Sequence, residues 1–528
     1  MLVVNTNVSA LKAQRELSRT QLGRSEAMER ISSGVRLNSS RDDAVGVGIS
    51  QRITSQIRGL SMAMQNANDG IGFLQTAEGA LQEVTNLMQR MREMAIQATN
   101  ESNNSADIFG LQSHIVELNA EITRISAQTE LNGQKLLNGD IVNAEFQVGI
   151  RSDQSLKVSI ASSAAINIGN YSTSTDSVEL SAIGAARLGE ILDEAPANFV
   201  QPQIMTIRGF NNGATPTEVS VGFEESARSI ADKVNAEQNR SGVLASAKTR
   251  LTLEGIFNHS AGDETQTISF RLYGANIRGL DPEVTTGISI TANIKRIDIG
   301  SQEVDLSALV SAINDQTIKT GITATEIRSS GKIELIQENG ENISIEKFEN
   351  ASGDTVSEDS LTVTGLQGTE PVTLVEGTDT NSVTVGGIVT FNSYKPFTVT
   401  SDATFDQSLL KQGFDGFLQG AAFSSLVDVD FTKEGGASLS IQVITSGLDF
   451  ISSLRGELGA LQNRFESTIA NLGSVRENAE AARSRIQDAD FAQETAKLTK
   501  AQILQEAGIA MLAQANTIPQ AVLALLRA

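Results

Sequence analysis

The chain has 528 residues, 40% of them hydrophobic, with 41 Lys+Arg against 63 Asp+Glu for a net charge of −22. That length suggests roughly three or four domains, and the charge repels nucleic-acid phosphates and anionic lipid headgroups, so neither nucleic acid nor a membrane is expected as a partner. Cys is absent and His occurs only twice, which removes disulfides, thiolate metal sites and nearly all imidazole chemistry, so no enzyme, cofactor or metal centre is expected.

Met1-Leu2-Val3-Val4-Asn5 opens the chain without a basic, apolar signal segment, and no run of about 18 apolar residues follows anywhere. Prolines fall at 196, 202, 216, 282, 371, 396 and 519, leaving long proline-free ends that can be helical. Residues 141–440 carry −19 of the −22. Two nearly neutral helical ends therefore bracket an acidic, Thr/Ser/Gly/Val-rich centre.

An amphipathic stretch over 5–35, with Val8, Leu11, Leu22 and Met28, comes first. It is too weakly apolar to stand as a lone helix. Asp42 and Asp43 then sit where an N-cap belongs. After them Leu60, Met64, Ala67, Ile71 and Leu74 step by three and four, continued by Leu81, Val84, Met88, Met91, Ala95 and Ala98. That is a heptad stripe. Ile108, Leu111, Ile115, Leu118, Ile122 and Ile125 form a second stripe, ended by the turn signal at Asn132-Gly133. A third runs through Ile451, Leu454, Leu458, Leu461 and Phe465, then Leu472, Val475, Ala479, Ala482 and Ile486. Three such helices predict a coiled-coil rod along which the chain goes out and returns.

Between them the sequence predicts strands at 267–273 and 287–294, and a hairpin of 332–337 with 343–347 across Asn339-Gly340. Ala231, Val234, Asn235, Gly242, Val243 and Ala245 recur 79 residues on as Val310, Ile313, Asn314, Gly321, Ile322 and Ala324; Leu251/Leu253 and Ile333/Leu335 continue three residues out of step. Two related α+β modules follow from that repeat. The last stretch, 491–528, is amphipathic and ends on an apolar tail holding Leu523 and Leu526. It wants a partner, either the opposite terminus in an ordinary bundle or another chain.

Chemistry is sparse. His114 lies beside the second stripe and His259 in a polar segment, both read as solvated. Gly46-Val47-Gly48 and Gly70-Ile71-Gly72 complete no phosphate fingerprint and are read as sites of close helix packing. Asp428-Val429-Asp430 lacks the remaining ligands of a calcium loop.

The residues at both ends resemble bacterial flagellin. The resemblance rests on Asn5-Thr6-Asn7, Ile31-Ser32-Ser33-Gly34-Val35-Arg36-Leu37-Asn38-Ser39, Asn66-Ala67-Asn68-Asp69-Gly70, Gln75-Thr76-Ala77-Glu78-Gly79-Ala80-Leu81, Gln128-Thr129-Glu130-Leu131-Asn132-Gly133 and Met511-Leu512-Ala513-Gln514-Ala515-Asn516. It covers roughly the first 150 and last 90 residues. It implies an α+β multidomain protein: a terminal helical inner core (1–41 with 491–528), a coiled-coil rod with a β-hairpin (42–175 with 440–490), and β-rich outer domains over 176–439 with repeats near 218–254 and 300–337. It further implies a secreted subunit that polymerises with itself into the flagellar filament for motility. Its partners are a type III export apparatus, a chaperone, and cap and junction proteins. The host flagellin-sensing Toll-like receptor is a further implied partner, through Gln89, Arg90, Arg92, Glu93, Met94 and Gln97, with His114 where the family usually carries an acid. A hook-filament junction protein and a filament-displayed adhesin are the alternatives.

Overall fold

In the computed structural model both ends are helical, Pro519 falling inside the last helix, and the centre is built mainly of strands. The described residues are 7–100, 103–175, 186–191, 193–210, 215–256, 265–276, 287–296, 304–327, 331–351, 360–365, 370–403, 408–410, 419–433 and 435–527, without the side chains of 265, 296, 351, 419 and 518–527. The helices among them are α1 (Val8–Ser33), α2 (Ala44–Ala98), α3 (Ser105–Gln128), α4 (Ala227–Ala236), α5 (Gln238–Ser241), α6 (Ser307–Asn314), α7 (Thr317–Thr320), α8 (Gly436–Gln487) and α9 (Phe491–Arg527). At 55 residues, α2 is about 80 Å long at ~1.5 Å per residue.

Short polar side chains start the helices. The Asn7 side chain accepts from the Ala10 N–H to open α1, which closes on Gly34 at φ +71°. Asp43 accepts from Val45 and Gly46 N–H at 3.0 and 2.9 Å to open α2, while Asp42 accepts from the backbone of Asn38 and Ser39 in the loop before it. Asp490 does the same for α9 through Ala492 and Gln493.

The chain divides into two compact units. The first comprises Met1–Ala80, Thr129–Ala161 and Arg455–Ala528. In it α1 pairs with α9 through Asn7 Nδ2 to Ala515 O (2.8 Å) and Arg24 to Gln505 (2.8 Å). The turn after α1 is tied to the end of α8: Arg36 N donates to Gln487 O and Ala489 N to Gly34 O. Farther along α2, Phe73, Phe146 and Phe465 meet edge to face, with centroids 5.6 and 5.7 Å apart. Phe146 comes from the hairpin Ala144–Gln147/Ser155–Val158, which Asn66 Nδ2 holds by the Gln147 carbonyl. Gly70 admits this cluster, since a Cβ there would lie 2.8 Å from Phe465 Cζ. Gly46 is equally closed in by Asp43 and Leu37, but a Cβ at Gly48 or Gly72 would meet open space. The helix-packing reading thus holds for Gly70 and is corrected for the others: Gly46 is crowded only by its own helix cap and the preceding turn, and Gly48 and Gly72 face open space, since residues two apart on a helix point to different sides.

The second unit comprises Leu81–Gln128 and Ser162–Leu454. Its sheets are antiparallel. A six-stranded one runs in the order Val304–Asp305, Ile288–Arg296, Thr265–Tyr273, Ile343–Ala351, Val383–Val385 and Ala186–Leu188. An eight-stranded one is centred on the strand Leu244–Glu254, and a four-stranded one contains Gln203–Arg208 and Thr217–Val221. Two separate cores form. One joins Ile268, Phe270, Ile290, Leu309, Ile313 and Leu335; the other joins Met205, Ile207, Ile230, Val234, Phe391 and Val399. Each core buries one copy of the repeated helix, α6 or α4, by its i, i+4 face.

The repeat is structural through its first six positions: helix, short helix, glycine at φ +69° (Gly242) or +68° (Gly321), then strand. Beyond them it diverges. Leu251 and Leu253 continue the same strand as Ala245, whereas Ile333 and Leu335 belong to the next strand, after a reversal at Gly331, and lie antiparallel beside Leu253 and Leu251. The expected hairpin across Asn339-Gly340 is corrected as well. Lys332–Gln337 pairs within the eight-stranded sheet and Ile343–Ala351 within the six-stranded one. Gln337 Oε1 accepts from Asn339 and Glu341 N–H, and Gly340, at φ +76°, packs on Ala247. The turn therefore passes the chain from one sheet to the other instead of folding it back.

Candidate functional site

Leu60, Ala67 and Leu74 of the first stripe are buried, with Met64 and Ile71 half-buried. In the second unit Leu81, Val84, Met88, Met91 and Ala95 are wholly buried. On α3, Ile115 and Ile122 are buried while Ile108, Leu111 and Leu118 are half-buried. The α3 flank carries polar contacts that hydrophobic spacing does not signal: Gln112 donates to Val429 O and accepts from Phe431 N–H, and Asn119 donates to Leu426 O at 2.7 Å. Both amides reach one segment because they lie seven residues apart on one face. Asp428 and Asp430 in that segment act as turn acceptors, for Ser425 and Thr432.

Of the stripe on α8, Ile451, Leu454, Leu458, Phe465 and Leu472 are buried, with Leu461 half-buried. Beyond Leu472 the stripe opens: Val475 is exposed and Ala479, Ala482 and Ile486 are only half-covered. One window of α8 is long and apolar enough to cross a membrane by composition alone. Its Val443, Ile444, Ile451 and Leu454 are buried within the protein, as in a core helix.

The terminal pair is different. Ala27 is the one buried residue of α1. On α1, Val8, Leu11, Leu22 and Met28 are exposed, Leu22 at 66%; on α9, Phe491, Ile503, Leu504, Ile509 and Met511 are exposed, Met511 at 67%. Polar bonds hold the two helices together at intervals. Arg30 of α1 stands 3.6 Å from the buried Glu494 carboxylate of α9, which Lys497 of the same helix α9 also reaches at 2.7 Å. Apolar side chains thus face outward from Val8 to Met28 on α1 and from Phe491 to Met511 on α9, a pattern that marks a protein contact. The Asn5-Thr6 start, His259 and the side chains of Leu523 and Leu526 lie outside the described residues.

Gln89, Arg90, Arg92, Glu93 and Gln97 are exposed on α2 and Met94 is half-buried. Arg90, Glu93 and Gln97 share one face by their spacing of three and four. His114 is exposed on α3 beside the buried Ile115. Among the described residues no group of three or more metal-ligating side chains comes together.

Comparison with known proteins gives a family for both ends. The bacterial flagellin N-terminal helical region matches residues 4–141 and the C-terminal helical region matches 441–526. The B-type flagellin of Pseudomonas aeruginosa is 35% identical across the whole of both chains. Flagellin B of Vibrio cholerae is 32% identical and the flagellin of Salmonella typhimurium 30% identical, each over 99% of both chains. Among solved structures, FliC from Burkholderia pseudomallei aligns over 75% of this chain and 99% of its own at 18% identity and a TM-score of 0.27. Flagellar hook associated protein-3 from Legionella pneumophila aligns over 83% and 98% at 13% identity and a TM-score of 0.32.

Proposed function

The chain belongs to the bacterial flagellin family, and from that premise we propose how it builds the flagellar filament of which it is a structural subunit. Three zones divide the work: 1–41 with 491–528 as an inner core, 42–175 with 440–490 as the surrounding coiled-coil layer, and 176–439 as the displayed outer part. Assembly is driven by the terminal pair. The observation that carries this is the line of exposed apolar residues on α1 and α9, from Val8 to Met28 and from Phe491 to Met511. Leaving that area in water is unfavourable at about 25 cal/mol per Å², and a neighbouring subunit removes it. Leu523 and Leu526 are assigned to the same assembly role from the sequence alone, and the heptad residues Leu60, Leu74, Leu81, Ile115, Leu458 and Phe465 hold the coiled-coil layer in register.

Ordering of the termini accompanies contact, so binding and folding are coupled. Circular dichroism recorded while seeds elongate in purified full-length chain tests this: helicity rises in step with light scattering. Elongation at constant helicity would contradict it.

The −19 of the middle zone keeps the outer surface solvated and filaments apart. The lack of Cys and the few prolines suit export of an unfolded chain through a type III apparatus with its chaperone, after which cap and junction proteins receive it outside the cell. No catalytic role belongs to this reading. Host recognition by the flagellin-sensing Toll-like receptor runs through the exposed Arg90, Glu93 and Gln97 face, with Gln89, Arg92 and Met94 beside it. His114 cannot supply the acidic contact, so recognition is weak and His114→Glu strengthens it in a cell-reporter assay; equal potency of the two forms would contradict this. The filament subunit is favoured over a junction protein because the relatives named above that span this chain end to end are flagellins.

A further inference from the structure

Between α1 and α9 lies a groove of about 350 Å³ whose lining includes Gly23, Ala27 and Ala501. A Cβ at Gly23 would meet open space, so the groove is open where the two helices would otherwise close on each other. Its charge is opposite to that of the chain. Arg19, Arg30, Lys497 and Lys500 line it against only Glu26 and Glu494. Arg30 and Lys497 are engaged by Glu494, and Arg19 reaches Glu16 at 3.7 Å. Lys500 has no acidic partner among the described residues. A basic groove of this size takes one carboxylate-bearing side chain with its apolar neighbours.

The other side of α9 carries such a side chain. Glu506 is exposed and lies three residues from each of Ile503 and Ile509, which are 61% and 52% exposed. At ~100° per residue, Glu506 points about 120–180° away from the groove-lining positions of the same helix. When Ile503 and Ile509 are covered by a neighbour, Glu506 is covered with them. An unpaired carboxylate at a desolvated contact is costly, so a cation must meet it there. An open polymer needs two different, complementary faces on each subunit, which a groove on one side and an acid on the other provide.

We propose that Glu506 of one subunit enters the α1/α9 groove of a second copy and pairs with its Lys500. This rests on the assembly reading above. It adds a specific head-to-tail contact to a surface otherwise defined only by apolar exposure.

The test is seeded elongation of the full-length chain and of K500E, E506K, the double variant K500E/E506K and the control K12E/E506K, with monomer helicity checked by circular dichroism. Lys12 is a further exposed cation of α1 outside the groove. Each single variant should elongate about tenfold more slowly or worse, because it sets like charges against each other. K500E/E506K should recover most of that loss, and K12E/E506K should not. Single variants that elongate like the parent chain, a double variant no better than the singles, or equal rescue by K12E would each overturn the pairing while leaving assembly by the termini standing. Failure of the parent chain itself to elongate would overturn both.

Discussion

Asn314 makes the same two hydrogen bonds as Asn235. Each donates Nδ2–H to the carbonyl of the residue ten places on, Ala324 or Ala245, at 2.9 Å, and each accepts that residue's N–H at 2.7 Å. One amide side chain thus closes the helix–glycine–strand module by standing in for a strand partner at its first residues.

The paired bonds set an order of cost. Replacing either Asn by Ala strands a backbone N–H and carbonyl, at about 1–3 kcal/mol where they are buried. Asn235 is half-buried and Asn314 exposed, so N235A should lower the denaturation midpoint of the central region more than N314A. Urea titration of the two variants checks this; equal effects would mean that water replaces both amides alike.

Gly70 and Gly72 should respond in opposite directions to one change. Gly70→Ala drives a Cβ into the Phe465 ring edge and should destabilise by about 1–3 kcal/mol. Gly72→Ala meets open space and should stabilise by up to about 1 kcal/mol through helix propensity. Thermal unfolding of both variants reads the difference in sign.

Gly340 is constrained twice, by φ +76° and by Ala247, whose Cβ would be 2.3 Å from an added Cβ. Gly340→Ala should therefore cost more than either effect alone and loosen the passage between the two sheets. Hydrogen exchange should rise at 337–343 while the amides of α2 keep their protection.

Asp428 ties stability to pH. The Ser425 hydroxyl and backbone N–H hold its carboxyl below the ordinary value of 3.8. A depressed folded-state pKa contributes stability above the unfolded value and loses it as pH falls through the folded one. D428N should thus be less stable than the parent chain at pH 5–7, with the gap closing as the pH drops below about 3.8. A gap that widens in acid would reverse the assignment.

Much of the helical architecture was legible because its signal is local. A stripe such as Leu81, Val84, Met88, Met91 and Ala95 repeats often enough to fix both the helix and its buried face. The Asn235/Asn314 module was visible as a spacing, yet its hydrogen bonds were not, since an Asn before a strand is equally an ordinary turn residue. The Asn339-Gly340 misreading has the same root. That dipeptide specifies a reversal, and which sheet the following strand joins depends on Gln337 and Ala247, contacts across the fold that no short window contains. On the candidate surface, the apolar residues of α1 and α9 were readable one by one. Their outward orientation and the Lys500 groove appear only when the two ends, nearly 500 residues apart, are laid together.

The measurement that bears most directly on the central claim is seeded polymerisation of the full-length chain beside a version lacking 1–41 and 491–528, scored by electron microscopy. Filaments from the full-length chain and none from the truncated one are expected, because the exposed apolar faces of α1 and α9 are then absent. Filaments of the same geometry from both would contradict the account and place assembly on the α2, α3 and α8 surfaces.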